Sequence, residues 1–318
     1  MIEGLVTTII PVFNRARLLE EAVASVLAQT YRPIEILIID DGSTDDTPRV
    51  ADRLAAEHPD VVRVIHQPNR GVGAAREAGR LAARGEFIQH LDSDDILLPQ
   101  KFEKMVAALR EHPECGVAYG RTRHRDVNGN PIACDWKPVL AGEETILPHF
   151  LRARMWDTVT PLYRASVIAQ AGAWTTLRLE EDWEYDCRIG ALGTRLVFID
   201  KELAEVRIQP DRLSMGTSRD AHRLRDRAAA ELLILGHARR AGITNETLEM
   251  QHFARALFLL ARQCGAVGLA NESRRLFEAS REMSPDRLQY RIYAAFARVA
   301  GWRAAGQVSR FIDALRLR

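Results

Sequence analysis

Along the first hundred residues, apolar runs too continuous to leave a polar face alternate with segments of helical period. Leu5 to Val12 is apolar and β-branched almost throughout, the pattern of a strand covered on both faces. Leu18 to Gln29 then places Leu19, Ala22, Val23, Val26 and Leu27 at helical spacing. Ile34 to Ile39 reads as a second buried strand, Thr47 to His58 as a helix and Val61 to His66 as a third strand. Gly73 to Ala83 reads as a third helix and Glu86 to Leu91 as a fourth strand. This order predicts a parallel sheet with helices on both faces, in which ligands sit at the carboxyl ends of the strands. Each polar cluster lies at such an end: Asn14-Arg15, Asp40-Asp41, Asn69-Arg70 and Asp92-Ser93-Asp94-Asp95.

The pattern is mixed from 140 to 220, where Leu196 to Ile199 and Leu203 to Ile208 read as short strands. Beyond 220 it turns helical, over Arg223–Ala241, Glu246–Gln263, Glu272–Met283 and Arg287–Leu315. Residues 254–285 fit one tetratricopeptide-type hairpin at Leu257, Leu260, Ala261, Gly268, Phe277 and Pro285, loosely at Ser273 and Ser280. A single repeat builds a packed hairpin, not a binding array. The last segment sets Leu288, Ile292, Tyr293, Phe296, Val299, Trp302 and Phe311 among seven arginines opposed only by Asp313. Such a helix suits an anionic membrane surface, or packs its apolar face on the hairpin before it.

Charge sharpens this division. The net charge is +1, yet residues 221–318 hold 17 Arg against 9 acidic groups while the rest of the chain is acidic. Hydrophobic content of 47% over 318 residues suits a globular chain of one large domain and an appendage. Cys115, Cys134, Cys187 and Cys264 are widely spaced, which argues for a reducing compartment and against a structural zinc. The N-terminus runs straight into a strand and no stretch is long enough to span a bilayer, so a cytoplasmic protein is expected.

Three of the clusters carry chemistry. Asp92, Asp94 and Asp95 repel one another, and a divalent cation of the kind that accompanies phosphate-bearing substrates relieves that repulsion. The same residues also suit a solvated turn capping a helix. Asp40-Asp41 ends a strand where an acid can accept hydrogen bonds from a base or ribose, while Asp45 or Asp46 caps the next helix. Asn69-Arg70-Gly71-Val72-Gly73 opens a helix near Arg76, a setting that attracts phosphate, although it lacks the strand–GxGxxG–helix order of a dinucleotide site.

Together, Ile10-Pro11-Val12-Phe13-Asn14-Arg15, Ser25-Val26-Leu27-Ala28-Gln29-Thr30, Asp40-Asp41-Gly42-Ser43-Thr44-Asp45, Asn69-Arg70-Gly71-Val72-Gly73-Ala74-Ala75-Arg76 and Leu91-Asp92-Ser93-Asp94-Asp95 resemble the family 2 glycosyltransferases over roughly residues 4–215. The resemblance implies a GT-A fold: an α/β, Rossmann-like, mostly parallel sheet with helices on both faces, here followed by a C-terminal helical region. It divides the chain into a catalytic domain at 1–220, with a nucleotide-sugar part at 1–115 and an acceptor part at 116–220, and helices at 221–318. It implies that Phe13 and Asp41 hold the base, with Arg76 near base or phosphate, and that Pro11, Asn14, Asn69, Gly71, Ser93 and Arg207 belong to the nucleotide-sugar site. Asp94 would bind Mn²⁺ or Mg²⁺, and Asp92 would face ribose and metal.

The resemblance further implies inverting transfer of a hexose from a UDP-class donor to a glycan or lipid-linked acceptor in surface polysaccharide or lipopolysaccharide synthesis; with the basic apolar tail, it fits a cytoplasmic protein peripheral at the inner face of the membrane. Glu180-Glu181-Asp182-Trp183-Glu184 matches the family's Glu-Asp motif, with Asp182 as base and Glu181 its rival. Where the family carries a histidine near the diphosphate, this chain has Gln209, leaving Arg207 and Arg212 to meet it. No nucleic-acid partner is expected. The alternatives are a nucleotidyltransferase, which wants a Gly-rich basic loop that Asn14-Arg15-Ala16-Arg17 does not supply, and a catalytically silent nucleotide-binding scaffold acting through its helical tail.

Overall fold

The computed structural model describes residues 1–133, 144–208, 220–285 and 288–316. Gln209, Arg212 and the Ser214-Met215-Gly216 stretch, like Cys134 and Arg287, lie outside the described residues. Backbone contacts divide the chain into two units. The first holds residues 1–146, 154–176 and 192–212; the second holds 147–153, 177–191 and 213–318.

In the first unit the four predicted strands form β1 (Ile2–Val12), β2 (Ile34–Asp40), β3 (Val62–His66) and β4 (Gly85–His90). Between them run α1 (Ala16–Leu27), α2 (Thr47–Glu57) and α3 (Val72–Ala82). All seven residues of β2 are buried, as a doubly covered parallel strand requires. The strands pair in parallel in the order β3-β2-β1-β4, so β1 has β2 on one side and β4 on the other. That reversal is the topological switch point, where a ligand crevice opens at the carboxyl ends. The register sets Val12 beside Asp40 and Asp40 beside His66, which brings these strand ends to one rim. Helix α3 lies so close to β1 that a Cβ on Gly79 would stand 2.3 Å from the Ile9 side chain.

The sheet continues through β5 (Ile96–Leu97), β6 (Cys115–Asp126), β7 (Leu162–Arg164) and β8 (Arg195–Ile208) into eight strands, with α4 (Lys101–Glu111) and α5 (Ala165–Ala171) beside them. β7 runs antiparallel between β4 and β6, and β6 pairs in parallel with β8. The two short strands expected at 196–199 and 203–208 are one strand. Asp200-Lys201-Glu202, whose polarity broke the pattern, sits exposed at a register shift opposite Gly120 and Arg121.

The second unit is helical: α6 (Glu181–Gly190), α7 (Ala221–Arg240), α8 (Leu248–Ala266), α9 (Ala270–Met283) and α10 (Leu288–Arg316). Asp220 and Thr247 cap α7 and α8 through their side chains. The expected hairpin is α8–α9, and its two loosely matched positions are both fully buried; Ser280 Oγ donates to the Ala254 carbonyl at 2.8 Å. Tyr290 and Tyr293 of α10 join Phe258 and Phe277 in an aromatic cluster, so one face of the last helix does pack on the hairpin. Gly301, at φ 83°, breaks α10. Leu288, Ile292, Phe296 and Val299, at helical spacing, remain exposed on its other face.

Candidate active site

The loops leaving β1 and β2 are pinned to each other. Asn14 takes a left-handed φ of 51°, which asparagine tolerates better than most residues. Its N–H donates to Ser43 Oγ at 2.9 Å, its Oδ1 accepts from the Thr44 N–H at 2.8 Å, and the Arg15 N–H donates to Thr47 Oγ1 at 2.9 Å. Pro11 is buried within β1, whereas Phe13 just beyond it is exposed on the rim. The Asp45 carboxylate accepts the Thr47 N–H at 2.9 Å, while Asp46, the N-cap residue of α2, makes no side-chain capping bond.

Asp40 and Asp41 do different work. Asp40 accepts from the Ser43 N–H at 3.0 Å and meets His66 Nδ1 at 2.8 Å; this bond first, and a second to Asp52, raise the His66 pKa. Asp41 is buried and accepts from Gln67 Nε2 at 2.7 Å, the Arg70 N–H at 2.9 Å and the Gly71 N–H at 2.8 Å. The carboxylate thus shapes the glycine loop at the start of α3, where Gly71 has φ 89° and Asn69 is exposed. Glycine is required at 42, since a Cβ there would stand 2.7 Å from the Asn69 nitrogen.

At the exit of β4, the Asp95 N–H closes a turn onto the Asp92 carbonyl at 3.0 Å, and Ser93, Asp94 and Asp95 are buried. Three arginines hold this turn. Buried Arg76 donates to Asp92 Oδ1 at 2.7 Å and lies over the Trp174 ring at 4.9 Å. Arg15 pairs with the Asp94 carboxylate. Arg207 Nε donates to the Asp94 carbonyl at 2.6 Å, its backbone N–H donates to Asp95 Oδ1 at 3.1 Å, and its guanidinium also meets Glu21. Behind the turn, His90 sits edge-on to Trp174 at 5.0 Å; burial, then the Arg76 and Arg154 charges, lower its pKa to about 3. A neutral imidazole therefore lines this wall.

Among the described residues, no group of three or more His, Cys, Asp or Glu side chains gathers as an ion cage. Asp92 and Asp94 nevertheless offer hard carboxylate oxygens from one turn. That set fits Mg²⁺ or Mn²⁺, because ions of this type bind through one or two carboxylates and take the rest of their ligands from water and phosphate.

The Glu-Asp motif starts α6 in the second unit. Glu180 has a left-handed φ of 59° immediately before the helix, Glu181 is buried, and Asp182 is half-buried with Oδ1 accepting the Trp183 N–H at 2.8 Å. Acids at a helix N-terminus are favoured by the helix dipole, which suits Glu181, Asp182 and Glu184 in the first turn of α6. Glu184 meets His237 Nε2 at 2.6 Å and takes two bonds from Arg188; although burial opposes its ionisation, these partners lower its pKa. Glu180 pairs with Arg227 at 2.8 Å, and Arg227 approaches Glu231 at 3.7 Å. Burial pushes the Glu180 pKa well up, helped by the Glu231 and Asp182 charges and opposed by Arg227.

Burial likewise raises Glu231 to about 7, against the pull of Arg227. A raised folded-state pKa means that this group's stabilisation is complete below the free carboxyl range and is lost as pH rises through about 7. Glu231→Gln, which cannot ionise, is therefore expected to raise Tm relative to wild type more at about pH 8.5 than at about pH 5. Thermal unfolding at both pH values checks this, and equal shifts would contradict it.

The family model Glycosyl transferase family 2 matches residues 7–167. The chain belongs to this family. Chondroitin synthase of Escherichia coli is 36% identical over 160 residues, covering 48% of this chain and 23% of that one. Among solved structures, S. aureus TarS 1–349 in complex with UDP is 19% identical with TM-score 0.67, covering 96% of this chain and 91% of that one. The mannosyltransferase PcManGT from Pyrobaculum calidifontis, in complex with GDP-Man and Mn²⁺, is also 19% identical, with TM-score 0.54 and coverage of 97% and 87%. These likenesses show the GT-A fold of this family 2 member. The chain spans 39%, 23% and 21% of the length of the first three curated relatives it matches.

The structure of this family 2 chain brings Asp41 to Gly71 and Arg76 to Asp92, and Arg207 to the turn at 94–95. Sequence reasoning missed Trp174 and His90 behind Arg76, and Arg15 on Asp94. Arg15 carried a signal, its place at the exit of β1. Trp174 carried none, since only the tertiary fold brings it to Arg76.

Proposed function

We propose that this chain transfers a hexose from a nucleotide-sugar donor, of the UDP class, to a glycan or lipid-linked acceptor, with inversion at the sugar C1. The carrying observation is that Asp41, the glycine loop and the Asp92–Asp95 turn gather at the carboxyl ends of parallel strands beside the switch point. The UDP bound by TarS supports the choice of donor, and the family's chondroitin synthase supports a role in cell-surface polysaccharide or lipopolysaccharide synthesis.

In this reading exposed Phe13 stacks on the base, and Pro11 and Asn14 shape the rim around it. Asp41 fixes the loop carrying Asn69 and Gly71 and offers its remaining lone pairs to the nucleoside. Ser93 and Asp92 face the ribose, and Arg76 and Arg207 supply positive charge for the diphosphate. Asp182 takes the acceptor hydroxyl proton as its oxygen attacks C1 and the C1–O bond to the diphosphate breaks; Glu181, more deeply buried, supports the helix start. Asp92 and Asp94 would hold Mn²⁺ or Mg²⁺, which when bound would supply Lewis-acid stabilisation for the departing diphosphate.

Nucleoside diphosphate release from UDP-, GDP- and dTDP-sugars, with wild type, Asp94→Ala and Asp182→Asn, tests the reading. Metal-dependent release from one donor that both variants lose supports it. Donor binding with no turnover in the presence of any acceptor would instead favour the silent scaffold.

The same reading places the enzyme at the inner face of a membrane where lipid-linked acceptors lie. No helix among the described residues is long and apolar enough to cross one. The support is α10, whose exposed Leu288, Ile292, Phe296 and Val299 are flanked by exposed Arg291 and Arg298. The chain is expected to sediment with phosphatidylglycerol-rich vesicles and not with phosphatidylcholine ones. Adding salt, or Ile292→Glu with Phe296→Glu, should abolish that sedimentation; equal binding to both vesicle types would count against an anionic surface.

A further inference from the structure

Arg15 and Asp94 form an ion pair across 79 residues of chain, and the two partners differ in freedom. The Asp94 side chain is 6% exposed and fixed within the turn after β4, whereas the Arg15 side chain is 40% exposed. Only the backbone of Arg15 is tied down, by its N–H to Thr47 Oγ1 and by the pinned Asn14 before it. The other two arginines are otherwise engaged. Arg76 serves Asp92, and Arg207 donates to the Asp94 backbone carbonyl and meets Glu21. Among the described residues, the Asp94 carboxylate thus has one guanidinium partner, carried on a long, part-exposed side chain whose backbone is pinned.

A buried carboxylate needs a positive partner, and a half-exposed ion pair is worth only about 1 kcal/mol or less. Such a partner satisfies Asp94 yet yields readily to a doubly charged ion. A divalent cation that takes the Asp94 oxygen paired with Arg15 meets the like charge of the guanidinium there, and an anion that receives the displaced group relieves that repulsion. A nucleotide diphosphate is such an anion.

We propose that Arg15 is an exchangeable counter-ion of Asp94, which a divalent cation displaces and a nucleotide diphosphate then receives. The inference rests on the assignment of Asp94 as a metal ligand. It makes metal and nucleotide binding mutually reinforcing: each partner relieves the cost that Arg15 imposes on the other, by the same factor in both directions.

Mn²⁺ binding is measured by calorimetry and by the electron paramagnetic resonance of free Mn²⁺, with and without UDP, in wild type, Arg15→Gln, Arg15→Lys and Asp94→Ala. Without UDP, Arg15→Gln is expected to bind Mn²⁺ up to about fivefold more tightly than wild type, as the loss of a competitor worth about 1 kcal/mol requires. UDP should strengthen Mn²⁺ binding in wild type and much less in Arg15→Gln. Arg15→Lys, still charged, should resemble wild type, which separates competition from a merely structural tie. Unchanged Mn²⁺ affinity in Arg15→Gln, with binding lost in Asp94→Ala, would overturn the role of Arg15 alone. Unchanged affinity in Asp94→Ala would overturn the metal assignment and the inference with it.

Discussion

Asp94→Ala should abolish metal-dependent donor binding and lower kcat/KM by about 10²–10⁴-fold, the range that several kcal/mol of lost charge stabilisation produces. The size follows from where Asp94 stands. It is buried in the turn after β4, where the neighbouring backbone is held by Arg207 and by the Asp92–Asp95 turn. Removing its carboxylate takes one of two hard oxygen donors from the site, and Asp92, already bonded to Arg76, cannot replace it. Folding should survive, because the orphaned Arg15 is substantially exposed and the lost pair contributes only about 1 kcal/mol or less. Circular dichroism and Tm close to wild type, beside lost metal-dependent binding, would separate a functional from a structural defect. Asp95→Ala should do the reverse: its side chain accepts the Arg207 N–H in the buried base of the turn, so stability suffers first.

Asp182→Asn should lower kcat by about 10²–10⁴-fold, the usual worth of a general base, with donor affinity unchanged. Asparagine keeps the shape, and its Oδ1 can still accept the Trp183 N–H at the start of α6. What it loses is the ability to accept the acceptor's proton. The stability cost is the loss of one negative charge at a helix N-terminus, about 0.3–1 kcal/mol. Steady-state kinetics with donor and acceptor varied separately check this. An equal loss in Glu181→Gln, with Asp182→Asn active, would move the base to Glu181.

The first ninety residues were legible because each doubly covered strand is an unbroken apolar run and each helix keeps its period. The carboxyl-end clusters followed directly, since Asn14, Asp41 and Asp92 are the residues at which those runs stop. β6 was not legible: Arg121, Arg123 and Arg125 interrupt it, and the latter two are satisfied by Glu205 of β8, a partner 80 or more residues away. The same distance hid Trp174 beneath Arg76 and Arg15 upon Asp94, where local pattern carries no trace of the pairing. The Glu-Asp motif was found through family resemblance. Its own residues read equally well as an acidic helix start, and Asp182 does stand at one.

The most direct test of a metal-assisted nucleotide-sugar transferase is calorimetric titration of the full chain with UDP-, GDP- and dTDP-sugars, with Mn²⁺ and with chelator. At least one donor is expected to bind only when Mn²⁺ is supplied, and Asp94→Ala should not bind it. Failure of every donor to bind in a metal-dependent way would contradict the account.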